Sequence, residues 1–358
     1  MTNVLGFRFE KREHASRLWQ TMLVLTAILV ALLISGLLIV STGADVGKAF
    51  AGLYGGAFGT PKAFIETLVK ATPLILTGLA ATIAFRGKVM NIGAEGQFLG
   101  GAITGYWAIL KFSFLNPWLY LLVILFSAFV GGAICGVIPG LLKGYLKVDE
   151  TIVTVMMNYL IVKILSYLMS GPWQAAGKFY KFSEEVPQSA YYNLIFPNTR
   201  LDYGFLVAII ATIIVYWLLQ KTRLGFEIRS IGQNPVAARF KGINVSRTII
   251  IIMIISGGVA GLGGIGEVIG IQHRLRMDIS NGAGFTGIII AMLAGLNPLA
   301  VLFVAIFMGG LLNGSNRMQI YSGVPTALVY AMQAIVLLSL LAFQVLAKYR
   351  IRRVAKGG

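Results

Sequence analysis

Three polar side chains, Asn91, Glu95 and Gln97, stand among glycines between two long apolar runs of this 358-residue chain. Amides and a carboxylate in such a place could bind a polar solute, and the carboxylate could relay a proton or another ion. Asn158, within a later apolar run, has the same character. Polar groups are costly in a bilayer unless they are paired or functional. The candidate residues for a translocation pathway are therefore Asn91, Glu95, Gln97 and Asn158.

Each of these side chains also has a structural interpretation. Glu95 could lie at the cytoplasmic mouth of the membrane domain and cap or tether a helix end beside Arg86 and Lys88. The amides could instead form hydrogen bonds between helices. Glu267, near the end of another apolar run, is a second carboxylate that could couple transport to an ion. The residues alone leave these alternatives open.

Enzyme chemistry has little support in the sequence. The chain contains two histidines and one cysteine, Cys135, too few for a zinc set or an intramolecular disulfide. No Gly-x-x-x-x-Gly-Lys-[Ser/Thr], Gly-x-Ser-x-Gly or His-Glu-x-x-His pattern occurs. We therefore predict no catalytic residues, no metal and no cofactor bound by this chain.

Composition indicates an all-α integral membrane protein. The chain is 57% hydrophobic and 12% charged, with a mean hydropathy of +0.81, and each crossing needs about 20 apolar residues. The net charge of +17 comes mainly from Lys and Arg clusters at the ends of apolar runs. That distribution follows the positive-inside rule, so it argues for orientation in a membrane and against nucleic-acid binding.

About ten apolar runs are predicted to cross the membrane, which places both termini in the cytoplasm. The predicted crossings are residues 18–40, 63–85, 91–110, 118–142, 149–170, 204–219, 248–271, 285–296, 298–312 and 324–346. Residues 18–347 thus form one transmembrane domain between an N-terminal tail, 1–17, and a basic tail, 348–358. Within it, residues 171–203 are predicted to be an extracytoplasmic loop and 221–247 a cytoplasmic one.

The two halves of the chain share a short pattern. The stretch from Phe85, FRGKVMNIGAEGQ, and the stretch from His273, HRLRMDISNGAGFTG, both run from a basic cluster through methionine and a polar residue into a glycine-rich segment. With five crossings in each half, a duplicated unit would return in inverted orientation, as in many transporters. The first stretch would then open from the cytoplasmic side and the second from the outer side.

The cytoplasmic loop contains the pattern of a short helix. Asn234 is suited to the N-cap and Pro235 to the first helical position, and Gly242 can end the helix. A short stiff element between two crossings could transmit force from a soluble partner. The alternative is a solvated basic loop that only obeys the positive-inside rule.

Several motifs resemble those of the permease subunits of bacterial ABC importers for nucleosides, in a broader group that includes simple-sugar permeases. They are FRGKVMNIGAEGQ at 85–97, VDETIVTVMMNY at 148–159, GQNPVAARFKGI at 232–243, GFTGIIIAMLA at 284–294 and GVP at 323–325. The Asp-Ile-Ser sequence at 278–280 looks more like that of sugar permeases.

The resemblance implies a pore-forming subunit in the bacterial plasma membrane that moves nucleosides inward by alternating access. Its partners would be a second, homologous permease in a heterodimer, a cytoplasmic ABC ATPase that binds the ATP, and an extracellular substrate-binding lipoprotein. The implied coupling-helix residues are Asn234, Pro235, Ala237, Ala238, Arg239 and Gly242. Three other hypotheses are a simple-sugar permease, an ion-coupled secondary transporter that uses Glu95 or Glu267, and a membrane scaffold.

Overall fold

The computed structural model describes residues 3–4, 7–11, 17–177 and 181–325, together with parts of the segment 327–353. The helices are α1 (Arg17–Ser41), α2 (Val46–Ala57), α3 (Pro61–Arg86), α4 (Ala94–Lys111), α5 (Pro117–Leu146), α6 (Glu150–Ser170), α7 (Tyr203–Lys221), α8 (Arg223–Gln233), α9 (Pro235–Phe240), α10 (Val245–Gly266), α11 (Ala283–Leu293) and α12 (Pro298–Ser322). A π-helical turn, Glu267–Gln272, continues α10, and Gln188–Ala190 forms a 3₁₀ turn.

Among the residues whose side chains the structure describes, six helices are long and apolar enough to cross a membrane. They are Pro61–Arg86, Pro117–Leu146, Glu150–Ser170, Tyr203–Lys221, Val245–Gln272 and Pro298–Ser322. The predicted class, a predominantly α-helical multi-pass membrane protein, is confirmed. The last predicted crossing, 324–346, lies partly outside the described residues, so the count of ten stays a prediction.

Two predicted crossings differ from the observed helices. The segment 285–296 falls on α11, whose 11 residues span roughly 16 Å at about 1.5 Å per residue. That length is about half of a hydrocarbon core, so α11 does not cross alone; Gly295 and Leu296, both with φ of 59°, turn the chain at its end. In contrast, α12 continues to Ser322, well past the predicted end at residue 312.

Side-chain caps explain where many helices begin. Asn116, Asp149 and Asp202 each accept a hydrogen bond from an amide in the first turn of the following helix, at 3.1, 2.8 and 2.7 Å. Such caps satisfy backbone donors that have no partner within the helix. Pro61 and Pro117 stand at the first positions of α3 and α5, where the missing N–H is harmless.

The described chain divides into two compact units, and the larger one comprises residues 60–312. Its centre is α10, which packs against α3, α4 and α5. Small residues allow this packing: Gly257 and Gly261 of α10 lie against the backbone of Gly132 in α5, and Gly101 of α4 lies against Gly261. In a membrane, close backbone approach of this kind replaces the hydrophobic drive that assembles helices in water.

The smaller unit comprises residues 1–59 and 313–358. Its buried core contains Ile39, Ala49 and Met318, and the Arg317 guanidinium donates to the carbonyl of Gly55 at 2.8 Å. Three short antiparallel strands also lie here: β1 (Asn3–Val4), β2 (Phe7–Lys11) and β3 (Tyr349–Arg353), with β2 paired to both others. The N-terminal and C-terminal tails therefore meet in one small sheet.

Candidate functional site

The polar stretch between α3 and α4 is not helical. Residues 87–93 run in an irregular conformation, with Lys88 at φ 54°, and α4 begins only at Ala94, without a side-chain cap. The third predicted crossing, which began at residue 91, therefore starts three residues later as a helix. Irregular backbone is tolerated in a membrane protein only where other groups pair with it or water reaches it.

Asn91 is the centre of one cluster of hydrogen bonds. Its Nδ2 donates to Gln97 Oε1 and to Ser256 Oγ, both at 2.9 Å, and its Oδ1 accepts from the Gly93 amide at 3.0 Å. The Ser256 hydroxyl in turn donates to the carbonyl of Ala80 at 2.8 Å. The cluster joins the irregular segment to α3, α4 and α10.

Side chains on one face of α6 form hydrogen bonds with the backbone between Met90 and Gly96. Asn158 Oδ1 accepts from the Gly96 amide at 2.8 Å, and its Nδ2 donates to the Ile92 carbonyl at 2.9 Å. Thr154 Oγ1 accepts from Ile92 N at 3.3 Å, and Glu150 Oε1 accepts from Met90 N at 3.1 Å. Sequence reasoning missed Glu150 and Thr154. Their spacing of four residues, continued by Asn158, places all three on one helix face and was the available signal.

Glu95 connects the beginning of α4 to the beginning of α11. One carboxylate oxygen accepts from the Ser280 hydroxyl, and the other accepts from the Gly284 amide at 2.8 Å. The helix-tether interpretation thus fits the geometry, with partners other than the expected ones: Arg86 instead donates to the Leu296 carbonyl at 2.8 Å. The stretch after His273, predicted to open from the outer side, thus contacts the beginning of α4 through Ser280.

The four candidate pathway residues are all buried within the chain. Their exposed fractions are 0% for Asn91, 7% for Glu95, 1% for Gln97 and 5% for Asn158. Each bonds to protein groups, so together they hold irregular backbone and two helix starts in place. Contact of these residues with a solute stays a prediction.

Substitutions at Glu95 separate tethering from ion coupling. A glutamine can still accept from Gly284 N–H and can donate to Ser280, so we expect Glu95→Gln to retain transport within about threefold. Glu95→Leu leaves a buried amide unpaired, at about 1–3 kcal/mol, and should lower the yield of folded protein. Thermal unfolding in detergent and uptake in proteoliposomes measure the two effects. Abolished uptake in a well-folded Glu95→Gln variant would instead support an ion-coupling carboxylate.

The cytoplasmic-loop pattern forms the short helix that the sequence predicts. Asn234 Oδ1 accepts from Val236 N at 2.9 Å and from Ala237 N at 3.1 Å, Pro235 takes the first helical position, and Gly242 follows the helix at φ 79°. Ala238 is buried, whereas Arg239 lies on the outer side of α9. The local structure is confirmed; the coupling role is not tested by it.

The outer side of α9 is apolar. The side chains of Val236 and Phe240 are 63% and 89% exposed, and they line a shallow groove with Pro235 and Arg239. We call these four residues the α9 surface. The preceding helix, α8, has a buried face formed by Gly225, Ile228 and Ile231, which supports α9 from within the larger unit.

The segment 181–203 is bound to the stretch after α10. Ser183 N donates to the Leu275 carbonyl at 3.0 Å, and Val186 N donates to the His273 carbonyl at 2.9 Å. The ring of Tyr191 stacks on His273 with centroids 3.9 Å apart. Beneath this segment, Asp202 and Glu267 both line a small cavity between α3, α7 and α10.

Burial raises the pKa of Asp202 from 3.8 to about 6, although its hydrogen bond from the Gly204 amide opposes the change. The folded chain binds the proton of the Asp202 carboxyl more tightly than the unfolded chain does. The protonated carboxyl therefore contributes its full stability below pH 4, and this contribution is lost as the pH rises to 6. Over this pH range the free energy of unfolding falls by roughly 3 kcal/mol. Asp202→Asn keeps the helix cap and removes the charge, so its melting temperature should exceed that of the unmodified protein at pH 7.5.

The melting temperatures of Asp202→Asn and of the unmodified protein should become equal near pH 4.5 in the same thermal scans. Asp149→Asn is the matched control, because hydrogen bonds from Thr151 lower the pKa of this exposed cap. Its melting temperature should fall or stay constant at pH 7.5. A drop in the melting temperature of Asp202→Asn at neutral pH would show that the carboxylate stabilises the fold.

The architecture is that of a multi-pass membrane protein. A family model described as "Branched-chain amino acid transport system / permease component" matches residues 63–341. The chain belongs to this family.

Three relatives match along most of their length. The guanosine ABC transporter permease protein NupP of Bacillus subtilis is 34% identical over 90% of this chain and 93% of its own. The glucose ABC transporter permease protein TsgB13 of Haloferax volcanii is 34% identical over 90% and 88%. The nucleoside ABC transporter permease protein NupB of Lactococcus lactis is 30% identical over 87% and 88%. The chain is accordingly a permease subunit of an ABC transporter.

Each of these three organisms has a second, more distant relative. In Bacillus subtilis it is the guanosine ABC transporter permease protein NupQ, at 29% identity over 77% of this chain. In Lactococcus lactis it is the nucleoside ABC transporter permease protein NupC, at 27% identity over 68%.

Proposed function

We propose that this chain is the pore-forming subunit of an ATP-driven importer that moves nucleosides across the bacterial plasma membrane by alternating access. The observation that carries the proposal is the near full-length similarity to permeases named for guanosine and for nucleosides. Alternating access requires two states with different contacts, and the energy for the change comes from a partner. The permease supplies the pathway and binds no ATP itself.

The second permease of the complex is proposed to be a homologue. Both bacteria with nucleoside-named relatives have two such permeases, and this chain resembles one of each pair more closely than the other. That difference supports a heterodimer in which this chain fills one of two distinct positions. An extracellular binding lipoprotein would deliver the nucleoside to the pair.

The α9 surface is proposed to dock on the ATPase. Val236 and Phe240 project from a helix that is held rigidly by its Asn234 cap, and exposed apolar side chains on a polar loop indicate a protein contact. Because α9 lies between α8 and α10, a displacement of α9 would act on the central helix of the larger unit. The proposed coupling residues are Asn234, Pro235, Ala237, Ala238, Arg239 and Gly242.

Two inverted five-helix halves are proposed for the membrane domain. In each half a long helix, α3 or α10, is followed by an irregular segment that leads back into the protein and opens a shorter helix, α4 or α11. Glu95 bonds to Gly284 where these two shorter helices begin, as expected for segments that enter from opposite sides. The pairing of β2 with β3 supports both tails on one side, which we propose is the cytoplasm.

The cargo has one specific alternative. The 34% identity to a permease named for glucose equals that to the permease named for guanosine, so a simple sugar is the second candidate. An ion-coupled transporter that works alone has less support, because both oxygens of Glu95 are already engaged with Ser280 and Gly284.

The test is purification of the tagged chain in mild detergent, identification of the proteins bound to it, and uptake assays in proteoliposomes made from the purified material. We expect an ABC ATPase and a second permease to copurify, and we expect guanosine uptake to require ATP and to exceed glucose uptake. Glucose uptake alone would assign the alternative cargo. A chain that purifies alone and follows an ion gradient would contradict the importer.

A further inference from the structure

Helix α6 has two contrasting faces. One face is buried within the larger unit and carries Thr154, Asn158, Leu165 and Met169. The opposite face is exposed. Part of it is apolar, with Ile152, Leu160 and Ile164 exposed; successive turns also place Met156, Tyr159, Lys163 and Tyr167 on it, and Tyr159 and Tyr167 are 67% and 71% exposed. We call Met156, Tyr159, Lys163 and Tyr167 the α6 stripe.

Lys163 is in an unusual position for a lysine. It lies seven residues before the end of α6, about 10 Å along the helix axis, in a span with a mean hydropathy of 1.8. It makes no ion pair or hydrogen bond with any residue that the structure describes. Lysine in a transmembrane helix is expensive against lipid and ordinarily faces a partner or a water-filled cavity.

The exposed face of α7 has the apolar composition expected of a lipid-facing surface. Its residues Leu206, Ile210, Ile213 and Trp217 are all apolar and 42%, 55%, 58% and 60% exposed. The α6 stripe differs because it carries an ammonium group with a tyrosine one turn before it and another one turn after it. Within this face, an ammonium group flanked by two tyrosines suits water and a polar aromatic solute better than acyl chains.

We propose that the α6 stripe lines the aqueous translocation pathway and that Lys163 contacts the solute. The ammonium group donates hydrogen bonds to oxygen or ring-nitrogen acceptors, and the adjacent tyrosine rings can stack on a planar base. This chemistry suits an uncharged or anionic nucleoside and disfavours cationic solutes. The assignment rests on the proposed function for its cargo, although the exposure of the stripe to water can be tested without any cargo.

The first test is labelling of single cysteines with a membrane-impermeant maleimide in the assembled transporter in proteoliposomes. We expect Lys163→Cys and Tyr159→Cys to react at least tenfold faster than Ile210→Cys, and we expect guanosine to slow the reaction. Ile210 is the matched control because it is exposed and lies seven residues from an end of α7. The native Cys135 is buried, so labelling of the unmodified chain gives the background rate.

The second test is transport. Lys163→Met should lower guanosine uptake at least tenfold, Lys163→Arg should retain most of it, and Ile210→Met should change it little. Labelling of both stripe variants at the rate of Ile210→Cys would overturn the inference, even if the unmodified transporter carries guanosine. Rapid labelling in a transporter that carries no nucleoside would leave the pathway assignment in place and reject the proposed cargo.

Discussion

Replacing Gly264 with alanine is expected to prevent stable folding of the membrane domain. A methyl group on Gly264 of α10 would overlap the carbonyl group of Phe98 in α4. Both sides of this contact are helix backbone, so neither can move aside as a flexible side chain could. Overpacking typically costs about 1–3 kcal/mol, and more where neither side can relax, as in this contact. Most of the variant should aggregate during size-exclusion chromatography in detergent.

Gly266→Ala is the matched control for Gly264→Ala. Gly266 lies two residues further along the same helix, and a methyl group there would meet no atom within 4 Å. Alanine is favoured over glycine in a helix by about 1 kcal/mol, so this variant should melt at the same temperature as the unmodified protein or slightly higher. Equal yields and melting temperatures for the two variants would show that the contact between α4 and α10 tolerates separation.

Replacing Phe240 with serine is expected to uncouple transport while the permease itself remains folded. The Phe240 side chain is 89% exposed on the α9 surface, so it contributes little to the fold of this chain. If it anchors the contact with the ATPase, its loss should cost about 2 kcal/mol or more in binding, as central aromatic contacts often do. ATP-dependent uptake and ATPase recovery in pull-downs should both fall by tenfold or more.

Phe226→Ser provides the comparison for Phe240→Ser. Phe226 lies on the neighbouring helix α8 and is 49% exposed, outside the α9 surface. Its replacement should leave ATPase recovery unchanged within about twofold. Arg239→Glu, within the α9 surface, should behave like Phe240→Ser. Full uptake in both α9-surface variants would remove α9 from the coupling route and leave the solvated-loop interpretation.

The short helix α9 shows why some local structure could be predicted with accuracy. Its signals are contained in a few consecutive residues: an amide side chain that caps, a proline that fits only the first turn, and a glycine that adopts φ 79° at the end. None of these depends on a distant part of the chain. The membrane class follows in the same way, because repeated runs of about 20 apolar residues indicate membrane crossings whatever the rest of the fold.

Glu95 shows the opposite case. Its partners, Ser280 and Gly284, are separated from it by 185 and 189 positions, and no local pattern indicates that two helix starts meet there. The short length of α11 is likewise a tertiary result. Its apolar run looked like a crossing, but the chain can enter irregularly before α11 because other parts of the protein pair with its polar groups.

The sequence by itself determined the membrane class, the positions of most long spans, the capped helix at Asn234 and the family resemblance, because each rests on composition or on neighbouring residues. Only the tertiary structure decided which partners the polar residues of the membrane domain have. It buried Asn91, Glu95, Gln97 and Asn158 against irregular backbone, and it left Lys163 exposed. The physical reason is that a polar side chain in a membrane must find a partner, and the fold alone determines which partner lies within hydrogen-bonding distance.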